Sequence, residues 1–408
     1  MKIIDGGITS PKGYTAAGIH VGIKKAKKDL ALIYSERPAS IAGAFTQNVV
    51  RAAPVLWDEK IVQRGNSAHA ILINSGNANA CTGEKGEADC AQMAALTAKT
   101  LGGDIQADQV CVCSTGVIGV PLPMETIEKG ITAIVPELAE DADHADDAAH
   151  AILTTDTFKK EIAIEVEIAG RPVTISGIAK GSGMIHPDMA TMLSFIVTDA
   201  SISSELLQKM VGYSIADSYN MISVDGDTST NDTVLVMANG ASDTQELTED
   251  SIWFEDFKEA FDAVHLYLAK SIVRDGEGAG KFLEASVMGT ASKEDARIIA
   301  KSIITSNLVK TAFFGEDANW GRILCAAGYS GVSFDPLKVS LKISSKAGSV
   351  TLLTEGTPVS FDEEYALSIL KEQEIIISMV LEEGSAQAAA WGCDLSYEYV
   401  KINGEYRT

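Results

Sequence analysis

Short apolar runs typical of strands alternate with amphipathic helical segments along almost the whole chain, and this interleaving limits the fold more than any other feature. A strand buries a face and a helix buries a stripe, so the two kinds of segment must pack as layers. The pattern therefore predicts an α/β or layered α+β fold with mixed sheets. The predicted strands are residues 69–74, 109–114, 161–168, 191–200, 233–239, 338–344, 374–381 and 396–402, and the predicted helices are residues 88–102, 204–213, 254–275, 293–307 and 362–373.

The chain has 408 residues, enough for one large domain or two ordinary ones. It contains no internal repeat and no low-complexity tract. Its character changes near residues 280–292, where GAGKFLEASVMGTAS leads into a helix. We therefore expect a core domain over about residues 1–285 and a C-terminal domain over about residues 286–408.

The net charge of −23 disfavours two classes of partner. Such a field repels nucleic acid and anionic membrane surfaces. No apolar run approaches the roughly 20 residues that cross a bilayer, and the first residues lack the apolar core of a signal peptide. These features predict a soluble, cytoplasmic protein.

The cysteines and histidines provide little basis for a metal site. None of the six cysteines forms a CxxC pair, and no two of the six histidines have the spacing of metal ligands. Cys111 and Cys113 alternate within an apolar strand, which indicates buried free thiols. No metal is expected, and a Ser-His-Asp mechanism has few candidate histidines.

The segment GIAKGSGMIHPDMATMLSFIVTDA, residues 177–200, contains the elements of a self-cleaving site. A Gly/Ser loop leads to a small residue, Ala190, and the hydroxyl residue Thr191 then opens an apolar strand. In a tight bend, Thr191 Oγ can attack the carbonyl carbon of Ala190, and hydrolysis of the resulting ester leaves Thr191 as a new N-terminus. Its α-amine, with a pKa of about 7.7–8, can serve as general base for its own hydroxyl. A Gly-rich loop before an ordinary core strand has the same pattern, so spacing alone does not establish this chemistry.

Several motifs in one order resolve that ambiguity. Together with GSGMIHPDMATMLSFIVTDA, these motifs give the chain a resemblance over nearly its whole length to the ornithine acetyltransferase family. This family is also called bifunctional glutamate N-acetyltransferase. The matching segments are residues 27–55, INSGNANACTG (73–83), CSTGVIG (113–119), TTDTFKK (154–160), NMISVDGDTSTNDTV (220–234), RDGEGAGKF (274–282), FFGEDANWGRI (313–323) and KINGEYRT (401–408).

The resemblance implies an architecture and an assembly. Helices would pack outside two mixed β-sheets, with a C-terminal α/β domain, as in the autoprocessed N-terminal-nucleophile aminopeptidases. Self-cleavage between Ala190 and Thr191 would give an α chain of residues 1–190 and a β chain of residues 191–408. Two such pairs would form an α2β2 heterotetramer.

The resemblance also implies a reaction. The family transfers acetyl from N-acetylornithine to glutamate in arginine biosynthesis by a ping-pong route through an acetyl ester on the equivalent of Thr191. That route uses no metal and no prosthetic group, and some members also take acetyl-CoA as a co-substrate. Two alternatives stay open: an autoprocessed aminopeptidase or amidase with water as acceptor, and a non-catalytic binding protein on the same scaffold.

The family's site residues map onto this sequence one by one. Thr115 and Gly116 would form the oxyanion hole, although CSTGVIG alone is also an ordinary strand-ending turn. The substrate contacts would be Thr154, Lys180, Thr191, Glu277, Asn403 and Thr408. Lys180 could bind a substrate carboxylate and Glu277 an ammonium group, although each could equally be a solvated loop charge.

Thr154 and Thr155 could exchange roles. RDGEGAGKF lacks the Walker pattern of a nucleotide-binding loop. DGDTSTND, residues 225–232, lacks the glycine and final glutamate of a calcium loop and is interpreted as a structural turn network.

Overall fold

The computed structural model describes residues 1–65, 67–186 and 192–405. Sixteen strands lie in this part of the chain. They are β1 (Lys2–Ile4), β2 (Tyr14–Ile19), β3 (Leu30–Phe45), β4 (Ala68–Asn77), β5 (Val110–Val117), β6 (Lys160–Ile168), β7 (Arg171–Lys180), β8 (Leu193–Thr198), β9 (Ile222–Ser223), β10 (Thr233–Ala238), β11 (Phe282–Thr290), β12 (Ser340–Ser345), β13 (Gly348–Thr354), β14 (Thr357–Pro358), β15 (Glu374–Val380) and β16 (Ala386–Cys393).

Eleven α-helices lie in the same described ranges. They are α1 (Ala53–Arg64), α2 (Gly83–Leu101), α3 (Met124–Ile134), α4 (Ala142–Ala151), α5 (Ser204–Ala216), α6 (Phe254–Arg274), α7 (Lys293–Thr305), α8 (Asn307–Phe314), α9 (Trp320–Gly328), α10 (Glu363–Leu370) and α11 (Tyr397–Glu405).

The strands form two mixed sheets, as the interleaved pattern predicts. In the described residues the first sheet has nine strands in the order β1-β6-β7-β8-β10-β3-β4-β5, with β2 also paired to β3. Its parallel pairs are β8–β10 and β4–β5. The predicted fold class, a layered α/β protein with two mixed sheets, is confirmed.

The second sheet has seven strands in the described part of the chain, in the order β14-β13-β12-β15-β11-β16-β9. All but one follow residue 281, while β9 comes from residues 222–223 and pairs in parallel with β16. The short strand β9 thus connects the earlier part of the chain to the later sheet. The division into domains near residue 285 stays a prediction.

Helix α6 contacts strands of both sheets, including β6 and β7 of the first and β9 and β16 of the second. Its apolar residues recur at helical spacing, so that Phe257, Phe261, Val264 and Leu268 all lie fully buried on one stripe. Acidic residues in its first turn and a basic residue in its last turn suit the helix dipole. The helix ends where the RDGEGAGKF segment begins, and it delivers that loop to the candidate site.

One predicted strand is wrong: residues 396–402 lie mainly in the helix α11. The alternation of Tyr397, Tyr399 and apolar residues has the period of a strand, but β16 already has β11 on one side and β9 on the other. Ser396 Oγ instead accepts a hydrogen bond from the Tyr399 N–H at 3.3 Å, which satisfies a donor in the first helical turn.

Within the ranges that the structure describes, no helix is both long and apolar enough to cross a membrane.

Candidate active site

Residues from distant parts of the chain surround one cavity of about 120 Å³. Six of the residues singled out from the sequence line it: Thr115, Gly116, Thr154, Lys180, Glu277 and Asn403. Thr155 lines it too, so the choice between the two threonines stays open. Ala190, Thr191 and Thr408 lie outside the described residues. The structure thus brings the described candidates together, and their individual roles stay predictions.

Gly116 lies near the end of β5, where the ladder with β4 is irregular around Gly76 and Asn77. Its φ of +132° belongs to a region that favours glycine. A Cβ added here would lie 2.3 Å from the backbone carbonyl carbon of Gly76 and 2.5 Å from the nitrogen of Asn77. Only glycine therefore allows the two backbones to approach this closely beside Thr115.

Buried polar side chains support this turn from the INSGNANACTG segment. Ser114 Oγ donates to Asn74 Oδ1 at 2.6 Å, and Asn74 Nδ2 donates to the carbonyl of Asn77 at 2.9 Å. Asn77 Nδ2 in turn donates to the carbonyl of Val120 at 3.0 Å. Because these buried groups find partners, the turn is held by side chains as well as by the β ladder.

A buried ion cluster joins the loops on the other side of the cavity. Lys160 Nζ lies 2.7 Å from Asp156 Oδ1 and 2.5 Å from Asp275 Oδ2, and all three side chains are almost fully enclosed. The Asp156 carboxylate also accepts the Thr154 N–H at 3.0 Å and the Gly181 N–H at 2.7 Å. One anion therefore fixes both the Thr154 turn and the loop after Lys180.

Asp156 is held in its charged form by its surroundings. Burial alone would raise the pKa of its carboxyl, but the charges of Lys180 and Lys160 and the Gly181 N–H outweigh that effect. The net result is a pKa well below the ordinary value for aspartate.

Lys180, the last residue of β7, is a buried cation. It is 7% exposed, and among the described residues no carboxylate or carbonyl lies within hydrogen-bonding distance of its ammonium group. Burial lowers the pKa of this ammonium, an effect that Asp156 opposes. A buried charge without a partner is costly, and a carboxylate entering the cavity would supply the partner. Lys180 pairs with Leu193 across the sheet, two residues after Thr191.

Glu277 enters the cavity from the loop after α6. Its backbone N–H donates to the carbonyl of Ser182 at 3.0 Å, and its Oε2 accepts from Asn403 Nδ2 at 2.8 Å. Ser396 Oγ donates to the Gly278 carbonyl at 2.6 Å, so α11 is hydrogen-bonded to this loop at two points. The C-terminal helix thus covers one side of the cavity.

Asp225 connects that helix to the segment that precedes the predicted cut. Its carboxylate accepts the N–H groups of Met184 at 2.6 Å and Ile185 at 2.8 Å. Tyr399 of α11 donates its hydroxyl to the same carboxylate at 3.2 Å. The loop that leads to residue 187 is therefore positioned by a residue of the DGDTSTND segment.

Sequence reasoning missed the part of the site formed by Ser229, Thr230 and Asn231, which line the cavity. The interpretation of DGDTSTND as a turn network leaves out this contact. The sequence showed only that the segment leads directly into the predicted strand at residues 233–239, and the structure adds that this strand, β10, lies parallel to β8. Loops at corresponding ends of neighbouring parallel strands lie close together.

Among the side chains that the structure describes, no group of three or more His, Cys, Asp or Glu residues is arranged to hold an ion.

Comparisons with known proteins match the chain along its length. The ArgJ family model matches residues 15–408. The arginine biosynthesis bifunctional protein ArgJ of Caldanaerobacter subterraneus subsp. tengcongensis is 53% identical over 100% of both chains, and that of Listeria monocytogenes is 50% identical over 100% of both chains. A crystal structure of the argJ protein from Bacillus halodurans is 44% identical with a TM-score of 0.51, and the match covers 53% of this chain and 100% of that one.

Such similarity makes the protein an acyltransferase enzyme of arginine biosynthesis. The chain belongs to the ArgJ family. The resemblance inferred from its motifs is thereby confirmed.

The turn at Gly116 generates the first prediction. In Gly116→Ala, the new Cβ would collide with the Gly76 backbone, so the turn must move, and we expect the acyl-transfer rate to fall on the order of 100-fold. The control is Gly119→Ala, which also has a positive φ, +79°, but has no atom within 4 Å of the new Cβ. It should lose about 1 kcal/mol of stability and keep its rate within a few-fold. Steady-state kinetics on both variants test this, and wild-type turnover in Gly116→Ala would contradict it.

The second prediction concerns pH. The folded-state pKa of Asp156 lies below its unfolded value, so its stabilisation is present above the unfolded pKa of about 3.9 and is lost as pH falls towards the folded pKa. Asp156→Asn should lower the free energy of unfolding by about 3 kcal/mol at pH 7. The difference should be unchanged in urea titrations at pH 5 and should shrink at pH 3.5, below the unfolded pKa.

The control for this titration is Asp108→Asn. Asp108 pairs with Arg64 at 3.6 Å on the surface, so its loss should cost at most about 1 kcal/mol. A difference between wild type and Asp156→Asn that stayed constant over the whole pH range would refute the assignment.

Proposed function

We propose that the protein cuts itself between Ala190 and Thr191 and then transfers acetyl from N-acetylornithine to glutamate through an ester on Thr191. The observation that carries this proposal is the cavity itself. It gathers the Thr115–Gly116 turn, Lys180 and Glu277 next to the start of β8, which begins two residues after Thr191. The cavity would then bring together a nucleophile, donors for the oxyanion, and charged groups that bind a zwitterionic substrate.

In the cleavage step, Thr191 Oγ bonds to the carbonyl carbon of Ala190 and the peptide C–N bond breaks. The proton of the hydroxyl passes to the released amine, and water hydrolyses the ester. The products are a carboxylate on Ala190 and a free α-amine on Thr191. The relative from Bacillus halodurans supports a cut near the middle, because its complete chain in the crystal matches only 53% of this one.

In the first half of transfer, the α-amine of Thr191 takes the proton of its hydroxyl while Oγ attacks the acetyl carbonyl of N-acetylornithine. The Thr115 hydroxyl and the Gly116 N–H would stabilise the oxyanion. The amide C–N bond breaks, the proton moves to the leaving nitrogen, and ornithine departs. In the second half, the amine of glutamate attacks the ester carbonyl carbon and the acyl C–O bond breaks. The proton of the amine passes by way of the α-amine to Thr191 Oγ, and N-acetylglutamate leaves.

Charge explains how one cavity could accept both substrates. Lys180, which is buried and has no ion-pair partner among the described residues, would bind a carboxylate that ornithine and glutamate derivatives share. Glu277, held by Asn403, would bind an ammonium group. Thr154 and Thr408 would complete the contacts. The route uses groups of the chain and its substrates, with no metal and no prosthetic group.

We further propose acetyl-CoA as a second donor, because relatives about 50% identical over the whole chain are named bifunctional. In an assay with glutamate and acetyl-CoA but without N-acetylornithine, we expect equal amounts of free thiol and N-acetylglutamate. Absence of both products would restrict the protein to acetylornithine as donor.

The proposed assembly is an α2β2 heterotetramer in the cytoplasm. Its native mass, measured by light scattering, should be about twice the 43.1 kDa of one chain. Strand pairing between β7 and β8 and between β3 and β10 crosses the proposed cut and would hold the fragments together.

Replacement of the proposed nucleophile provides the decisive test. Wild-type protein should give two bands of comparable size on a denaturing gel, with the N-terminal fragment ending at Ala190. Thr191→Ala should give one band near 43.1 kDa and no transfer, because it lacks the hydroxyl. The control Thr191→Ser keeps a hydroxyl and should still be cut.

Mass spectrometry after incubation with N-acetylornithine alone should find one acetyl group on the fragment that starts at Thr191. An active wild-type protein that is a single unbroken chain would exclude this mechanism. Free acetate in place of N-acetylglutamate would indicate an amidase with water as acceptor.

A further inference from the structure

Asn231 lies between two parts of the candidate site, the Thr115–Gly116 turn and the start of β8. Each polar atom of its side-chain amide makes a hydrogen bond. Nδ2 donates to the carbonyl of Ala78 at 2.6 Å and to the carbonyl of Ser114 at 2.9 Å. Oδ1 accepts the hydroxyl of Thr230 at 2.6 Å, which fixes the orientation of the amide. The residue is 6% exposed. Two carbonyls that face the same point need two donors on one planar group, and an asparagine amide supplies both.

One accepting carbonyl directly precedes the turn proposed to stabilise the oxyanion, and the other lies on the segment after β4 that is hydrogen-bonded to the end of this turn. Ser114 immediately precedes Thr115, and the Ala78 N–H donates to the Val117 carbonyl at 2.9 Å on the far side of Gly116. Asn231 therefore holds the turn from both of its flanks.

The backbone around Asn231 belongs to the other half of the site. Thr233, two residues on, donates its N–H to the carbonyl of Met192 at 3.0 Å, in register with the start of β8. The carbonyls of Thr230 and Asp232 accept the N–H groups of Ala52 at 2.9 Å and Thr46 at 3.0 Å. Backbone hydrogen bonds thus fix the segment on both sides of Asn231. The Asn231 side chain extends from this fixed segment to the turn.

We infer that Asn231 is a positioning residue for acyl transfer: its amide sets the separation between the Thr115–Gly116 turn and the start of β8. This inference rests on the proposed function, in which the nucleophile precedes β8 and the turn stabilises the oxyanion. Donors act on the transition state only when they lie within a few tenths of an ångström of the required position. A side chain that joins the two elements directly controls that distance.

Asn231→Asp tests the inference with almost no change in shape. A carboxylate cannot donate to either carbonyl, so the turn loses both bonds and is repelled. We expect kcat for acetyl transfer to fall on the order of 100-fold, with KM for glutamate within a few-fold. Hydrogen exchange in the peptide containing residues 110–118 should become faster.

The chain offers a matched control at the opposite end of β10. Asn239 is also 6% exposed, and its Nδ2 donates to the Lys12 carbonyl at 3.0 Å and to Ser35 Oγ at 3.3 Å. It lies about 20 Å from Asn231 along the six-residue strand. Asn239→Asp should lose comparable stability but keep kcat per folded molecule.

Thr230→Val provides a milder variant should Asn231→Asp fail to fold. It removes the hydroxyl that orients the amide and should lower kcat about 10-fold, since the two donors then lose their fixed direction. Unchanged kcat in the folded variants at positions 231 and 230, or an equal fall in Asn239→Asp, would overturn the inference.

The same experiment separates this inference from the proposed function. Wild-type transfer by an uncut chain would exclude the Thr191 route, while the comparison of kcat between positions 231 and 239 would still decide the role of Asn231. A wild-type protein without any acetyl transfer would overturn both.

Discussion

One ammonium group shared by two buried carboxylates organises the candidate active site. Lys160 bridges Asp156 and Asp275, which lie more than a hundred residues apart in the chain. Lys180 also acts on Asp156 at longer range, so two cations and two carboxylates balance, and removing any one of them would leave a costly uncompensated charge in the interior. Because Asp156 also binds two backbone N–H groups, the cluster fixes the Thr154 turn, the end of β7 and the end of α6 relative to one another. The cavity has its shape because these three segments cannot move independently.

The local charge of the site opposes the charge of the molecule. The protein carries a net charge of −23, which disfavours anionic substrates at long range. Inside the cavity, however, Lys180 is buried and lacks an ion-pair partner among the described residues, while the nearby Lys160 is already neutralised by its two carboxylates. Short-range interactions in a partly dehydrated pocket are stronger than the screened field of the surface. In the proposed function, the charge of Lys180 would therefore attract a carboxylate substrate despite the negative charge of the surface.

Both prospective fragments contribute to the cavity. Thr115, Gly116 and Lys180 precede the proposed cut, whereas Asn231 and Glu277 follow it. The strand pairs that join the two parts run through the middle of the first sheet, where backbone hydrogen bonds are shielded from water. A peptide bond between β7 and β8 could therefore break while the sheet keeps its geometry. Polar side chains such as Asn231 then link the two parts at the cavity itself, where the distances matter most for catalysis.

Hydrophobic periodicity and ordered motifs are local signals, and they were sufficient to predict the layered α/β class, the family and part of the helices and strands. Helix α6 was predicted almost to the residue, since its buried stripe repeats over 21 positions. Residues 396–402 were predicted as a strand because their period favours one, and the tertiary structure decided otherwise: both edges of β16 are occupied and Ser396 caps a helix. Only the tertiary structure could reveal that Asn231 reaches the turn at Ser114, because that contact spans 117 positions and depends on which strands become neighbours. Hydrophobic periodicity indicates which face of a segment is buried. An active site, by contrast, depends on which segments the tertiary structure brings into contact.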